Sequence, residues 1–207
     1  MSFVPFVSDA REVWKLYGEA SGKLAFDIGA NGGMVTELLV DHFDRVIAIE
    51  PASESLEKLR HVADINPNVT ILPIAVSDHD DGVVLRETTL TTQFGELFTE
   101  VATSLEWGTD TGTRRVPSMT LDQVAEQYGQ PDFIKIDTEG HESHVLRGGK
   151  DTLRAAATVI VEIHAAEYGA EWQEFFVGTG RDFTEHRPYR PISIHYDNHF
   201  WITSGVS

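Results

Sequence analysis

Apolar positions along this chain fall into short continuous runs separated by segments of helical spacing. Leu24-Ala25-Phe26-Asp27-Ile28 is a compact run that ends in a glycine turn, the pattern of a strand buried on both faces. Met34 to His42 follows with helical periodicity. Val46 to Glu50 reads as the second strand, stopped by Pro51, and Ser53 with Glu54 and Glu57 marks a helix start. Val69 to Val76 is a third strand region. Gly82 to Arg86 reads as a short strand reached through an acidic turn at Asp78, Asp80 and Asp81. Thr120 to Tyr128 predicts a helix closed by Gly129, and Phe133 to Asp137 another strand. Glu142 to Leu153 contains a helix interrupted near Gly148-Gly149, Val159 to His164 is a strand, and Tyr168 to Val177 is helical. Two alternating runs between Ile192 and Ile202, around Asp197-Asn198, predict a terminal hairpin.

Strand and helix alternate from residue 24 to about 178. That order predicts a single α/β domain over residues 1–207, with a mostly parallel sheet and an antiparallel C-terminal edge. The least regular stretch is Thr88 to Arg115, broken by Phe94, Gly95, Phe98, Trp107 and Gly108. It is expected to be a substrate-facing loop or insertion, because long loops in small domains tend to carry function.

Two local clusters suggest chemistry. In FDIGANGG, residues 26 to 33, a strand ends, glycines stand at 29, 32 and 33, and a helix begins. The spacing is not the dinucleotide fingerprint G-x-G-x-x-G. Asp27, just before the first glycine, would repel a pyrophosphate and attract an ammonium. Glu50, at the end of the second strand, can accept hydrogen bonds from both hydroxyls of a ribose. A ligand with a ribose and an ammonium but no phosphate describes S-adenosylmethionine. Ser77 and Asp78 follow the third strand region, where an adenine amino group could be read; an ordinary Ser-Asp turn explains them equally well.

The second cluster is KIDTEGHE, residues 135 to 142. Lys135 and Asp137 share a strand face, and a lysine within an apolar strand calls for a carboxylate partner, with Glu162 as one candidate. Asp137, Glu139 and Glu142 crowd the carboxyl end of the strand, the side on which open α/β sheets bind ligands. Glu162 and His164 share a face of the next strand. An imidazole titrates near neutrality, so His164 is the first candidate for a general base and Asp137 the second. Asp137, Glu139 and His164 could serve a divalent cation, but their spacing matches no ligand signature and the reading takes no metal.

Charge and composition narrow the partners. The chain has 207 residues, with 33 acids against 16 basic residues, a net charge of -17, and no cysteine. Disulfides, thiolate metal sites and cysteine nucleophiles are excluded. The acidic balance and the lack of basic stripes argue against nucleic acid as a partner, and a small-molecule acceptor is expected instead. Between residues 61 and 113 a single arginine, Arg86, faces nine acids, which favours a neutral or basic acceptor. No apolar run approaches the length of a membrane span and no secretory leader pattern stands at the N-terminus, so cytoplasmic residence is the expectation. Oligomeric state is not encoded legibly.

Taken in order, FDIGANGG, VIAIEP, LPIAVSD, VPSMTLDQV, IKIDTEGHE with VLRGG, and VIVEIH resemble the FkbM-type S-adenosylmethionine-dependent methyltransferases, over residues 24 to 164. The resemblance implies a class I methyltransferase fold, Rossmann-like, with a seven-stranded sheet, helices on both faces and an antiparallel last strand. It implies methyl transfer, usually to a hydroxyl oxygen of a sugar, polyketide or other small molecule. It would place Asp27, Gly29 and Asn31 at the methionine end of the cofactor, Glu50 at the ribose, and Ser77 with Asp78 near the adenine, with Gly33, Pro51 and Asp137 also among the cofactor-binding residues. Asp137 and Glu139 would lie at the methyl-transfer face with His164 close by. His141 departs from the pattern, which often has a small residue there. The alternatives are an NAD-dependent oxidoreductase on a Rossmann fold, which the glycine spacing disfavours, and a non-catalytic cofactor-binding homologue.

Overall fold

A computed structural model of the chain describes residues 15, 17–91, 97–102, 109–163, 184–186 and 199–203, with side chains described at 15, 17–85 and 113–162. The strands are β1 (Gly22–Ile28), β2 (Phe43–Ile49), β3 (Val69–Leu72), β4 (Ala75–Ser77), β5 (Val83–Thr91), β6 (Leu97–Ala102), β7 (Thr109–Val116), β8 (Ser118–Thr120), β9 (Phe133–Ile136), β10 (Thr158–Ile163), β11 (Thr184–His186) and β12 (His199–Thr203). The helices are α1 (Met34–Leu39), α2 (Ser53–Ile65), α3 (Leu121–Tyr128), α4 (Glu142–Arg147) and α5 (Lys150–Ala155).

The central sheet has seven strands among the described residues, in the order β11-β12-β10-β9-β1-β2-β3. From β10 across to β3 every pairing is parallel. Strand β12 runs antiparallel to β10, and β11 antiparallel to β12. Strand order reverses between β1 and β9, which puts a crevice at their carboxyl ends.

Period-2 alternation divides the core between the two faces. Leu24, Phe26, Ile28, Ile47, Ile49, Ile134, Ile136, Val159 and Val161 face α3, α4 and α5 through Leu121, Val124, Val145, Leu146 and Leu153. Ala25, Val46, Phe133 and Ile160 face the opposite way, against Leu39 of α1 and Tyr17. Ala48 on that second face packs on Leu56 and Leu59 of α2. The helices therefore cover both faces, as the α/β reading requires. Helix α3 begins where the sequence predicts it, at a capping box in which Thr120 and Gln123 exchange side-chain-to-backbone hydrogen bonds.

Three expectations need correction. Within Thr88 to Arg115, expected to be a loop or insertion and the least regular stretch, the described residues are strands: β5, β6 and β7 form an antiparallel sheet ordered β6-β5-β7, with a register shift at Glu87/Thr88. The Val69-to-Val76 region is two strands, because Pro73 has no N–H to give a ladder, and β4 leaves the main sheet to pair with β8. Strand β12 is paired by Thr184–His186, whereas the expected first hairpin arm at 192–196 lies outside the described residues. The helix expected at 168–177 lies outside them too. Among the described residues no helix is long and apolar enough to cross a membrane.

Candidate functional site

The turn after β1 is fixed by main-chain bonds. The Gly29 and Ala30 N–H groups both donate to the Ile49 carbonyl, at 2.9 and 3.1 Å. Gly29 has φ +73, and a Cβ there would stand 1.7 Å from the Asp137 carbonyl oxygen. The glycine is thus demanded by the close approach of two loops of the chain itself. Asn31 is left-handed, φ 49, and its Oδ1 accepts from Ser55 Oγ at 2.8 Å. Gly33, φ +95, caps α1 where a Cβ would meet Leu59 and Val62 of α2.

Glu50 ends β2 and is 7% exposed. Its Oε2 accepts from the Asn31 N–H at 2.8 Å and its Oε1 from the Ala52 N–H at 2.8 Å. Pro51, between them, has no N–H to offer. Burial raises the Glu50 pKa, partly offset by these two backbone bonds. Each carboxylate oxygen keeps a second lone pair after its backbone bond.

Asp27 is fully buried. Its Oδ2 accepts from Thr36 Oγ1 at 2.6 Å, and its Oδ1 makes no hydrogen bond but lies 3.3 Å from the Lys135 ammonium. Asp27 and Lys135 stand opposite each other in the β1–β9 register. Lys135 Nζ also donates to the Gly29 carbonyl at 2.7 Å and lies 3.2 Å from Asp137 Oδ2. Lys135 is therefore held by Asp27 and Asp137. The parity of the strand was read correctly, but a four-carbon stem reaches along the strand to its own second neighbour. Burial would pull the lysine pKa down, but Asp137 and then Asp27 outweigh it and hold the ammonium well above the usual range. Tyr17, buried against Phe133 and within the field of Lys135, is pushed far up by burial, so its hydroxyl stays neutral.

After β9 the chain makes a strained turn. Glu139 has φ 53 and Gly140 φ 99. The buried Glu142 holds this turn: its Oε1 accepts from the Thr138 N–H at 3.0 Å, Thr138 Oγ1 at 3.2 Å and the Gly140 N–H at 2.9 Å. Sequence reasoning grouped Glu142 with the ligand-facing acids, but its carboxylate is folded back on its own loop. The Asp137 side chain remains 25% exposed.

Ser77 and Asp78 are set against α4. His141 Nε2 lies 3.0 Å from Ser77 Oγ, and its ring stacks on His144 at 4.2 Å. Asp78 Oδ1 lies 3.1 Å from His144 Nδ1, and Oδ2 accepts from Arg147 Nε at 3.0 Å. Burial would raise the Asp78 pKa, but His144 and Arg147 overrule it and hold the carboxyl below the usual range. His141 is pushed down to about 4, by burial first and by His144 second. These partners lie more than sixty residues away in the chain and were not foreseen, apart from the departure noted at His141.

The structure thus brings Asp27, Gly29, Asn31, Gly33, Glu50, Pro51, Asp137 and Glu139 to the carboxyl ends of β1, β2 and β9. His164 lies outside the described residues. Among the described residues no three His, Asp or Glu side chains form a cation site. Acidic and backbone groups line this edge, and Lys135 is held by two carboxylates. That donor set fits a cationic nucleoside better than a dinucleotide pyrophosphate.

The chain resembles known proteins in the same terms. Haloferax volcanii hexuronic acid methyltransferase AglP is 27% identical over 146 residues, 68% of this chain and 55% of that protein. The chain therefore spans about half the length of this curated relative. A crystal structure of an FkbM methyltransferase from Methylobacillus flagellatus superimposes with a TM-score of 0.59 at 17% identity, over 88% of this chain and 43% of the other. Aeropyrum pernix fibrillarin, solved with natively bound S-adenosyl-L-methionine, has a TM-score of 0.53 at 10% identity, over 88% and 66% of the two chains. At such identities these likenesses establish the fold, a class I methyltransferase architecture. The family model described as the methyltransferase FkbM domain matches residues 27–191, and the chain belongs to that family.

Proposed function

We propose that the chain is an S-adenosylmethionine-dependent methyltransferase acting on a hydroxyl of a small molecule, with sugars as the first acceptor class. The observation that carries this reading is the Glu50 carboxylate, buried at the end of β2 beside the glycine turn, with lone pairs left over after its two backbone bonds. The family supports methyl transfer, and the relative named as a hexuronic acid methyltransferase supports a sugar.

When bound, S-adenosylmethionine supplies an electrophilic methyl group on a sulfonium. The residues of the chain do the rest. Glu50 accepts the ribose hydroxyls, and the 29–33 turn receives the amino-acid end. Asp27 acts from behind that turn, since it is sealed from any ligand. The part-exposed Asp137 and the strained Glu139 border the reacting face. Most of the rate comes from holding the acceptor oxygen in line with the methyl group. His164 takes the hydroxyl proton as the oxygen loses electron density, with Asp137 as the second candidate.

Methyl-labelled S-adenosylmethionine offered with hexuronic acids, neutral sugars and phenols tests the reading. Label on an acceptor oxygen is expected; no transfer to any of them despite cofactor binding would leave a binding protein. With an acceptor in hand, His164→Ala should slow turnover while leaving cofactor affinity nearly intact. Unchanged turnover would remove the histidine from the mechanism.

A further inference from the structure

Lys135 has no part in the reaction just described, yet its buried charge meets three groups of the site. It is 3% exposed. It donates to the Gly29 carbonyl at 2.7 Å, on the turn after β1. Its shorter ion pair, 3.2 Å, goes to Asp137, beyond the end of β9. The two loops also touch directly, because the Asp137 carbonyl fills the space a Gly29 side chain would need. The third partner differs in kind: Asp27 Oδ1 meets the ammonium at 3.3 Å without a hydrogen bond. Two carboxylates against one ammonium leave the triad with a single negative charge.

We propose that Lys135 is a positioning residue of the cofactor site: its ammonium clamps the Gly29 carbonyl to the Asp137 carboxylate, so that the turn receiving the cofactor and the carboxylate at the reacting face are held as one body. The inference rests on the functional reading above. Preorganised loops bind more tightly because less ordering is left to do at the moment of binding. A purely electrostatic role would be different in kind. It would depend only on the net charge that the triad offers a cationic ligand.

Two substitutions separate these roles. Asp27→Asn keeps an acceptor for Thr36, removes the charge contact and turns an amide NH2 toward the Lys135 ammonium. Asp27→Asn with Lys135→Met restores the single negative charge of the wild type but has no clamp. Binding of S-adenosylhomocysteine is measured by calorimetry, with thermal melting as a check on the fold. Clamping predicts that the double variant binds about 10-fold or more weakly than Asp27→Asn alone. A double variant that binds like the wild type would overturn the proposal, since charge balance would then suffice. Should the double variant not fold, the wild type decides the matter by magnetic resonance with isotope-labelled lysine. The Lys135 ammonium signal should be resolved and slow to exchange with water already in the free protein and keep its position when S-adenosylhomocysteine saturates the site; a signal that becomes resolved only in the bound protein would overturn the clamp. A folded wild type that does not bind S-adenosylhomocysteine at all would instead overturn the functional reading, and the clamp with it.

Discussion

The Asp137 carbonyl oxygen lies 1.7 Å from the place a Cβ on Gly29 would occupy. Gly29→Ala therefore forces β1 and β9 apart at their carboxyl ends, where the candidate site is built. An alanine also pays about 1–2 kcal/mol for the left-handed backbone at φ +73. The substitution should lower unfolding free energy by more than that amount, measured by urea denaturation. A loss no greater than 1 kcal/mol would mean that the two loops separate easily.

Glu142 governs the turn that carries Asp137 and Glu139. It accepts three hydrogen bonds from Thr138 and Gly140 on one oxygen. Glu142→Ala takes that acceptor away and should cost about 1–3 kcal/mol of stability. Slow amide exchange at Gly140 should be lost together with it. Exchange at Gly140 as slow as in the wild type would show that the strained turn is held by something else.

Acid stability should depend on His141. Its folded pKa, about 4, lies below the ordinary 6.5. Between those values the unfolded chain binds a proton that the folded chain does not, so stability falls as pH drops through that window. The groups whose fields act on the ring are His144, Glu142, Asp78 and His79, and Ser77 bonds it. Glu50 works the other way: its raised pKa favours the folded state at low pH, an advantage lost as pH rises above 4.5. His141→Gln should therefore flatten the decline in unfolding free energy between pH 6.5 and 4. An unaltered decline would move the effect to other groups.

The apolar runs made the central sheet legible, because parallel strands buried on both faces read as unbroken hydrophobic stretches. Lys135 was legible as a buried charge needing a partner, whereas Asp27, expected to face a ligand's ammonium, is sealed in the core; period-2 parity names a face and not the reach of a side chain. The partners of Asp78, His144 and Arg147, come from a helix far along the chain and could not be read from its neighbours in sequence. The β5–β7 sheet was hidden by its polarity, although Thr88, Thr89, Thr91, Thr109, Thr111 and Thr113 are a β-branched signal. Arg114 of β7 ties the sheet to α2, donating to Ser53 Oγ and pairing with Glu54 at 3.6 Å. That tie links the insertion to the first turn of the helix that follows Glu50.

The central claim is that a carboxylate at the end of β2 receives a ribose. Calorimetric titration of S-adenosylhomocysteine into the wild type and Glu50→Gln tests it most directly. A hydrogen bond to a charged group contributes about 1.5–3 kcal/mol, so Glu50→Gln should bind about 10- to 100-fold more weakly while melting as a folded protein. Equal dissociation constants for the two proteins would contradict the account.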